Sequence, residues 1–563
     1  MLGHMEERIR YAITNVLSEL GVPLCDFMVE HPADISHGDY ATNVALVIAQ
    51  ALGKNPREVA LQAIELLGGK IAHVEKIESA GPGFINFHLN RDFFKEKIAE
   101  ALTAGETWGS NIAYAGKKVM VEYTDPNPFK ELHIGHLVPN ALGESLASLF
   151  EMSGAEVRRV TFQGDVGMHV AKGIMGLQQM NVAPANITPE ILGKAYAHGA
   201  TSFEESDDEK ERIKALNKKI YERTDDEVNA LYDEGKKVSI AYFEKAYAIL
   251  GTKFDHYFFE SATGPIGKEL VLANEGTIFE KSEGAIIYRG ETRGLHTRVF
   301  VNAAGIPTYE AKDLGLVQVK HAWWPFDFSI TVTGTEQKEY FKVVACAVGE
   351  VLPALAGRVE LVPNGMLRLK EGKMSSRTGN VIPALSFIED VVNGVLLVMS
   401  DRSVGNKVSV AHDIAVAAIK YAILRSTSGK DTVFDMKNSI SFDGDSGPYL
   451  QYTHARAVSV LTKAFEADVT SDTTTAPDSP YTLERLVYQF PDVILRATRE
   501  REPHYVASYL IEVASMFNAF YAAERIADTS DSYAPYKVAL TTVVRRTLLN
   551  GLRALGMKAP ETM

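Results

Sequence analysis

The chain has 563 residues, 46% hydrophobic and 23% charged, with a net charge of −14 and two cysteines. That length exceeds one hydrophobic core and predicts three or four domains, while the acidic balance leaves any nucleic-acid contact to a local basic face. Cys25 and Cys346 stand far apart and outside any Cys-x-x-Cys pair, which argues against a disulfide framework or a zinc ribbon. A reducing, cytoplasmic setting is therefore expected. No apolar run approaches ~20 residues and the N-terminus has no signal-like apolar core, so no membrane span is expected.

Residues 6–22 carry helical periodicity through Ile9, Ile13, Val16, Leu17 and Leu20, ended by Gly21. Residues 27–30 are a short strand candidate. His37-Gly-Asp-Tyr-Ala-Thr-Asn43 then leads into an apolar helix over 44–52, and Pro56 opens another to about residue 67. Alternating strands at 76–79 and 84–89 flank Gly81-Pro-Gly83. Together these predict an α+β domain over residues 1–112. Its histidine and asparagine at 37–43 read as turn and capping chemistry.

Residues 119–124, Val-Met-Val-Glu-Tyr-Thr, predict a buried strand. Asp125-Pro-Asn-Pro128 stops it, because proline cannot continue a ladder and restricts the residue before it. His133-Ile-Gly-His136 follows, then a helical pattern through Leu137, Leu142, Leu146 and Leu149 to Met152, closed by Gly154, and a second strand over 157–162. A helix entrance offers free N–H groups and the positive end of the dipole to a phosphate. Gly135 admits a nucleotide close to the backbone, and His133 and His136 add donors. A bare His-x-Gly-His is a common chance match; its place between strand and helix gives it weight.

Gln163-Gly-Asp-Val-Gly167 suits a turn at the carboxyl edge of a sheet. Residues 168–300 read as an insertion, with a long charged helical stretch over 203–250 whose Tyr242, Phe243, Tyr247 and Leu250 look like core. Thr308 to Asp313 begins a helix to about residue 324, a buried strand follows at 328–333, and Gly334-Thr-Glu-Gln337 caps the next helix. Tyr309 and Asp313, four apart, share a helix face; alone they fit a helix-start carboxylate and a half-buried tyrosine. A strand over 359–369 leads to Lys370-Glu-Gly-Lys-Met-Ser-Ser-Arg-Thr-Gly-Asn380, a basic, hydroxyl-rich loop suited to clamping phosphate. From about residue 414 the chain turns helical, with helices at 482–498, 503–525 and 534–555, and predicts an all-α bundle.

The His133–His136 turn resembles the HIGH motif of class I aminoacyl-tRNA synthetases. With Glu122-Tyr-Thr-Asp-Pro-Asn127 before it, the stretch is similar to the arginyl enzymes in particular. The loop at 370–380 resembles their KMSKS loop, with Lys373, Ser375 and Arg377 kept and Ser376 in place of the second lysine; Lys370 and Arg377 are the nearby candidates for the missing charge. HIGH and this loop are about 240 residues apart in the right order, a much stronger joint match than either alone.

The resemblance implies an α/β protein: a Rossmann-type parallel-sheet catalytic domain at 113–400 with the insertion at about 168–300, the N-terminal α+β domain, touching tRNA, and a helical anticodon-binding domain at 401–563. It implies ATP and Mg²⁺, L-arginine and the tRNA for arginine as partners, and a monomer. His133, Gly135, His136, Lys373, Ser375 and Arg377 would hold ATP, with His133, His136 and Lys373 catalytic. Glu122, Asn127, Tyr309, Asp313 and Gln337 would hold arginine, Asp313 and Glu122 facing its guanidinium. Gly164 and Asp165, and Gly38, Asp39, Tyr40 and Asn43 in the N-terminal domain, also match the family. Two rivals are a small nucleotidylyltransferase, which shares His-x-Gly-His but needs no helical C-terminal domain, and a catalytically silent tRNA-binding paralogue, to which Ser376 lends weight.

Overall fold

Strand β1 (Lys118–Glu122) is the middle of a five-stranded parallel sheet. The chain builds outward on one side through β2 (Glu156–Gln163) and β3 (His256–Phe259), then crosses back to lay β4 (Phe328–Gly334) and β5 (Val359–Asn364) on the other. Val119, Met120 and Val121 are fully buried, as in a parallel strand covered on both faces. The computed structural model that carries these elements describes residues 5–32, 34–370, 382–400 and 405–563.

The chain divides into two compact units, and the sheet belongs to the larger: residues 109–459, 491–515 and 547–563. Helix α1 (Leu137–Met152) links β1 to β2. After β2 come α2 (Met168–Gln179), α3 (Pro189–Glu205), α4 (Asp207–Glu222) and α5 (Asp226–Leu250). These four share a core of Val170, Ile174, Leu192, Ile213, Leu216, Ile220, Val228 and Leu231. The charged stretch at 203–250 is thus three helices in part or whole. Ser206 and Asp225 break it, their side chains accepting the N–H groups of Glu209 and Val228 as N-caps.

The region expected to be a single insertion at 168–300 is in fact divided. Strand β3 and helix α6 (Glu260–Ala273) rejoin the sheet layer, and Glu280–Ser282, Ala285–Tyr288 and Arg298–Val301 form a small antiparallel sheet. Four residues of β3 were too few to read as a strand against their helical surroundings. Phe258, Val271, Phe279, Tyr288 and Phe300 join α7 (Tyr309–Trp323) and α8 (Lys338–Val351) in one core. Helices α6 and α7 meet backbone to backbone, because Gly267 and Gly315 face Ala311 and Thr263 with no room for a Cβ. That approach brings Glu260 to Lys312.

The C-terminal segment is held by buried donors of the same unit. Ser145 Oγ donates to the carbonyl of Ala554, Lys420 Nζ to that of Gly556 and Gln451 Nε2 to that of Lys558, at 2.7–2.8 Å. Among the described helices, His504–Ala523 is long and apolar enough to cross a membrane by length and composition. Its Val506, Leu510, Val513 and Phe517 are fully buried, as in a core helix.

The smaller unit comprises residues 1–108, 460–490 and 516–546. Its antiparallel sheet has the order Val29–Glu30, Tyr40–Thr42, Phe84–Leu89, Val74–Ala80. Ile9, Ile13, Leu17, Val44, Ile48, Phe87 and Phe94 fill its core together with Tyr488 from the distant 460–490 segment. The turn residues serve the fold here. Asp39 is buried, accepting the Leu89 N–H at 2.8 Å and pairing with Arg485. Asn43 accepts the Met28 N–H at 2.8 Å. Gly38, at φ 94°, lies where a Cβ would stand 2.7 Å from the Phe87 carbonyl.

Candidate functional site

In an open parallel sheet the strand order reverses at one place, and the crevice beyond the carboxyl ends there is where ligands bind. Here that place lies between β1 and β4. A cavity of about 590 Å3 opens at it, lined from β1 by Glu122, from the next loop by Asp125 and Asn127, and from β4 and its following turn by Thr331, Thr333, Glu336 and Gln337. Helix α7 contributes Tyr309, Asp313 and Lys320, and α8 contributes Tyr340. All five residues expected around arginine, Glu122, Asn127, Tyr309, Asp313 and Gln337, line this one cavity.

Their chemical situations differ. Glu122 is 3% exposed and Lys320 1% exposed. They form an ion pair at 2.6 Å, and Thr331 donates to the other carboxylate oxygen at 3.1 Å. Glu122 therefore has a resident cation in Lys320, whereas it was expected to face a guanidinium alongside Asp313. Glu260 is likewise paired with Lys312 at 2.5 Å. Among the described residues Asp313 has no cationic partner; it accepts only the Tyr340 hydroxyl, at 2.6 Å. Burial above all, and then Glu122 and Glu260, push its carboxyl up to about 7, against the pull of the Tyr340 hydrogen bond and of Lys320. Tyr309 stands at the rim, 63% exposed, with Lys312 Nζ 5.0 Å from its ring centre.

The loop from Thr124 to Phe129 is held in a rare backbone shape, with positive φ at Thr124 (75°), Asp125 (42°) and Phe129 (69°). Such strain persists only where the surroundings over-determine it. Phe129 supplies much of that. Its ring is fully buried against Gly173 of α2 and Gly235 of α5, where a Cβ at 235 would stand 2.5 Å from the ring, and Ser239 Oγ accepts its N–H at 2.9 Å. The helical insert α2–α5 thus anchors the loop that presents Asn127. Asp125 is occupied with bracing, accepting the Phe162 N–H at 2.7 Å and the Thr161 hydroxyl at 3.2 Å; burial first and then Glu122 push its carboxyl well up. At Gly164 a Cβ would collide with Asn127 Oδ1, so glycine there clears that side chain. Asp165 binds Tyr232 and Lys236 at 2.8 and 2.7 Å and both the N–H and hydroxyl of Ser261, a fully engaged structural carboxylate.

At the mouth of α1, Ile134–His136 is a 3-10 turn with His133 as its N-cap. The Gly135 N–H donates to His133 Nδ1 and the His133 N–H to His136 Nδ1, both at 3.1 Å. Both Nδ1 atoms are thereby acceptors, which puts the ring proton on Nε2 of each neutral imidazole and makes Nε2 the donor. Burial keeps both rings neutral, with lysine charge at Lys130 adding to it; His136, also beside His133, is pushed down to about 3. A Cβ at 135 would stand 2.8 Å from the His133 ring, so Gly135 lets that ring fold back.

Lys373, Ser375 and Arg377 lie outside the described residues. The residues that follow the loop lie against the histidine turn: Ile134 N–H donates to Ile382 O at 3.0 Å, and Ala384 N–H to Leu132 O at 2.8 Å. Lys370, before the loop, is paired with Asp435 at 2.7 Å. Sequence reading missed Lys320, Tyr340, Thr331 and Glu260. Lys320 lies seven residues after Asp313 and Tyr340 three after Gln337, helical spacings that could have flagged them. Thr331 meets Glu122 only through the parallel register.

At this level the fold and site define a nucleotide-binding α/β enzyme. Residues 97–436 match the model of the class I (R) tRNA synthetase catalytic domain, residues 5–89 that of the arginyl-tRNA synthetase N-terminal domain, and residues 450–563 that of the DALR anticodon-binding domain. The chain belongs to the class I arginyl-tRNA synthetase family. The arginine–tRNA ligase of Clostridioides difficile is 29% identical, with 98% of this chain and 99% of that protein covered; that of Enterococcus faecalis is 28% identical, with 99% and 100% covered. The fold is shared with the arginyl-tRNA synthetase of Thermus thermophilus (TM-score 0.82, 24% identity, all of both chains). It is also shared with that of Plasmodium falciparum (TM-score 0.78, 19% identity, 99% of each).

Proposed function

We propose that this chain is an arginine–tRNA ligase that converts L-arginine and ATP to arginyl-adenylate and pyrophosphate, then passes arginine to the 3′-terminal ribose of its tRNA. The observation that carries the reading is Asp313, a carboxylate in the wall of the switch-point cavity that accepts only the Tyr340 hydroxyl and has no cationic partner among the described residues. A guanidinium is the planar, permanently charged group that such a carboxylate pairs with best. In this reading Tyr309 flanks the guanidinium at the rim and Asn127 and Gln337 hold the α-amino end. The Nε2–H groups of His133 and His136 donate to ATP phosphate oxygens at the entrance of α1, with Gly135 giving the backbone access.

Lys373, with Ser375 and Arg377, would close on the phosphates from the loop. Catalysis is then positioning and stabilisation of charge developing on the α-phosphate and the leaving pyrophosphate. Mg²⁺ is assigned to the ATP phosphates and water, since this ion dehydrates reluctantly and usually keeps several waters beside substrate phosphates. The reading takes the chain to be a cytoplasmic monomer; the free thiols of Cys25 and Cys346 fit a reducing compartment.

A silent tRNA-binding paralogue is not favoured, since the ligases of the relatives match nearly the whole chain. ATP–pyrophosphate exchange with arginine, run with and without tRNA, is the test. Arginine-dependent exchange that appears on adding tRNA is the expected result; no exchange under either condition refutes the ligase reading.

A further inference from the structure

We infer that Tyr340 is a positioning residue for amino-acid recognition: its hydroxyl fixes the Asp313 carboxylate, in orientation and in charge, for the substrate's guanidinium. The inference rests on the reading that arginine occupies the switch-point cavity. Asp313 and Tyr340 come from different helices, α7 and α8, and meet at 2.6 Å inside it. The phenol keeps its proton and is the donor in this bond, because burial and the neighbouring Asp313 push its own ionisation well above the ordinary range. A carboxylate with one oxygen so engaged cannot spin freely, and a bidentate guanidinium needs it fixed. The ring itself is braced from outside by the Arg298 guanidinium, 5.7 Å from its centre.

The charge matters as much as the geometry. Asp313 faces Glu122 from β1 and Glu260 from α6, both of which oppose its ionisation, and Lys320 on its own helix, which favours it. Glu122 and Glu260 already occupy Lys320 and Lys312. Asp125 and Glu336 line the same cavity, while Glu310 is 3.7 Å from Arg298. The Tyr340 hydroxyl is therefore the neutral donor that offsets two acids. Asp313 is balanced near neutrality, at about 7, so the proportion ionised in the free enzyme responds to any loss of that donor.

The sign follows directly. Removing a hydrogen bond to the ionised form raises the pH at which Asp313 loses its proton, so arginine binding weakens at and below neutrality and recovers at higher pH. The test is Tyr340→Phe, which keeps the ring and deletes only the hydroxyl, with Asp313→Asn alongside. The KM for arginine in aminoacylation is measured from pH 6 to 9 as a ratio to the parent enzyme at each pH. The expected ratio for Tyr340→Phe is roughly 3 to 10 at pH 7, closing to within about two by pH 9, with a much smaller change in kcat. A ratio independent of pH would mean that the Tyr340 hydroxyl does not hold the charge of Asp313, and overturns the inference. So does a parent-like Tyr340→Phe beside an impaired Asp313→Asn. If Asp313→Asn also keeps the parent KM, arginine is not paired at Asp313 and both readings fall.

Discussion

The Glu122–Lys320 pair allows a decisive experiment, because sequence and structure give Glu122 different work. At 2.6 Å the two charges attract by about 6 kcal/mol at an effective dielectric constant of 20. Burying each ion costs several kcal/mol, so the intact pair contributes little net stability. Leaving one partner alone is different: an uncompensated buried charge costs about 3–5 kcal/mol. Glu122→Gln and Lys320→Met should each destabilise by about that amount, while the double variant should lose less than either. A chain of two units need not unfold in one step, so the readout is native-state hydrogen exchange of β1 and β4, whose local opening reports the free energy directly. Arginine KM is measured on the same proteins. If Glu122 serves Lys320, the double variant retains arginine binding; if it is a guanidinium ligand, the double variant loses it as Asp313→Asn does. Single variants no more damaging than the double would refute the coupling itself.

Three further outcomes are expected. Asp313→Asn should raise the KM for arginine by roughly 100-fold or more, the scale of losing one partner of a buried charged pair, and should narrow the preference over uncharged citrulline; an unaltered KM removes Asp313 from recognition. Gly235→Ala sets a methyl against the Phe129 ring, so overpacking of about 1–3 kcal/mol should shift the 124–129 loop and lower kcat/KM for arginine roughly 10- to 100-fold; parent kinetics in a folded variant would show that the insert does not hold the loop. Lys373→Ala should lower kcat by about 2.7–4 kcal/mol of transition-state stabilisation with little change in the KM for ATP, and a full activation rate would exclude the loop as the phosphate clamp.

Much of the architecture was already legible in the residue order. Periodicity and punctuation located β1, α1, β2, the 44–52 and 56–67 helices and the start of α7, because each rests on local signals such as apolar spacing, a proline or a glycine stop. The histidine turn was legible for the same reason: the hydrogen bonds between its backbone N–H groups and its two rings run within four residues. The five residues expected around arginine came from resemblance to a family, and the fold brings all of them to one cavity. Only the tertiary structure decided which carboxylates there are already neutralised. Lys320 reaches Glu122 and Lys312 reaches Glu260 across elements far apart in the chain, and an ion pair between α7 and β1 leaves no periodic trace in either. The return of β3 to the sheet, and the entry of Tyr488 into the N-terminal core, were hidden for the same reason. Short or distant segments join a core through packing, which depends on where the chain arrives rather than on what lies beside each residue.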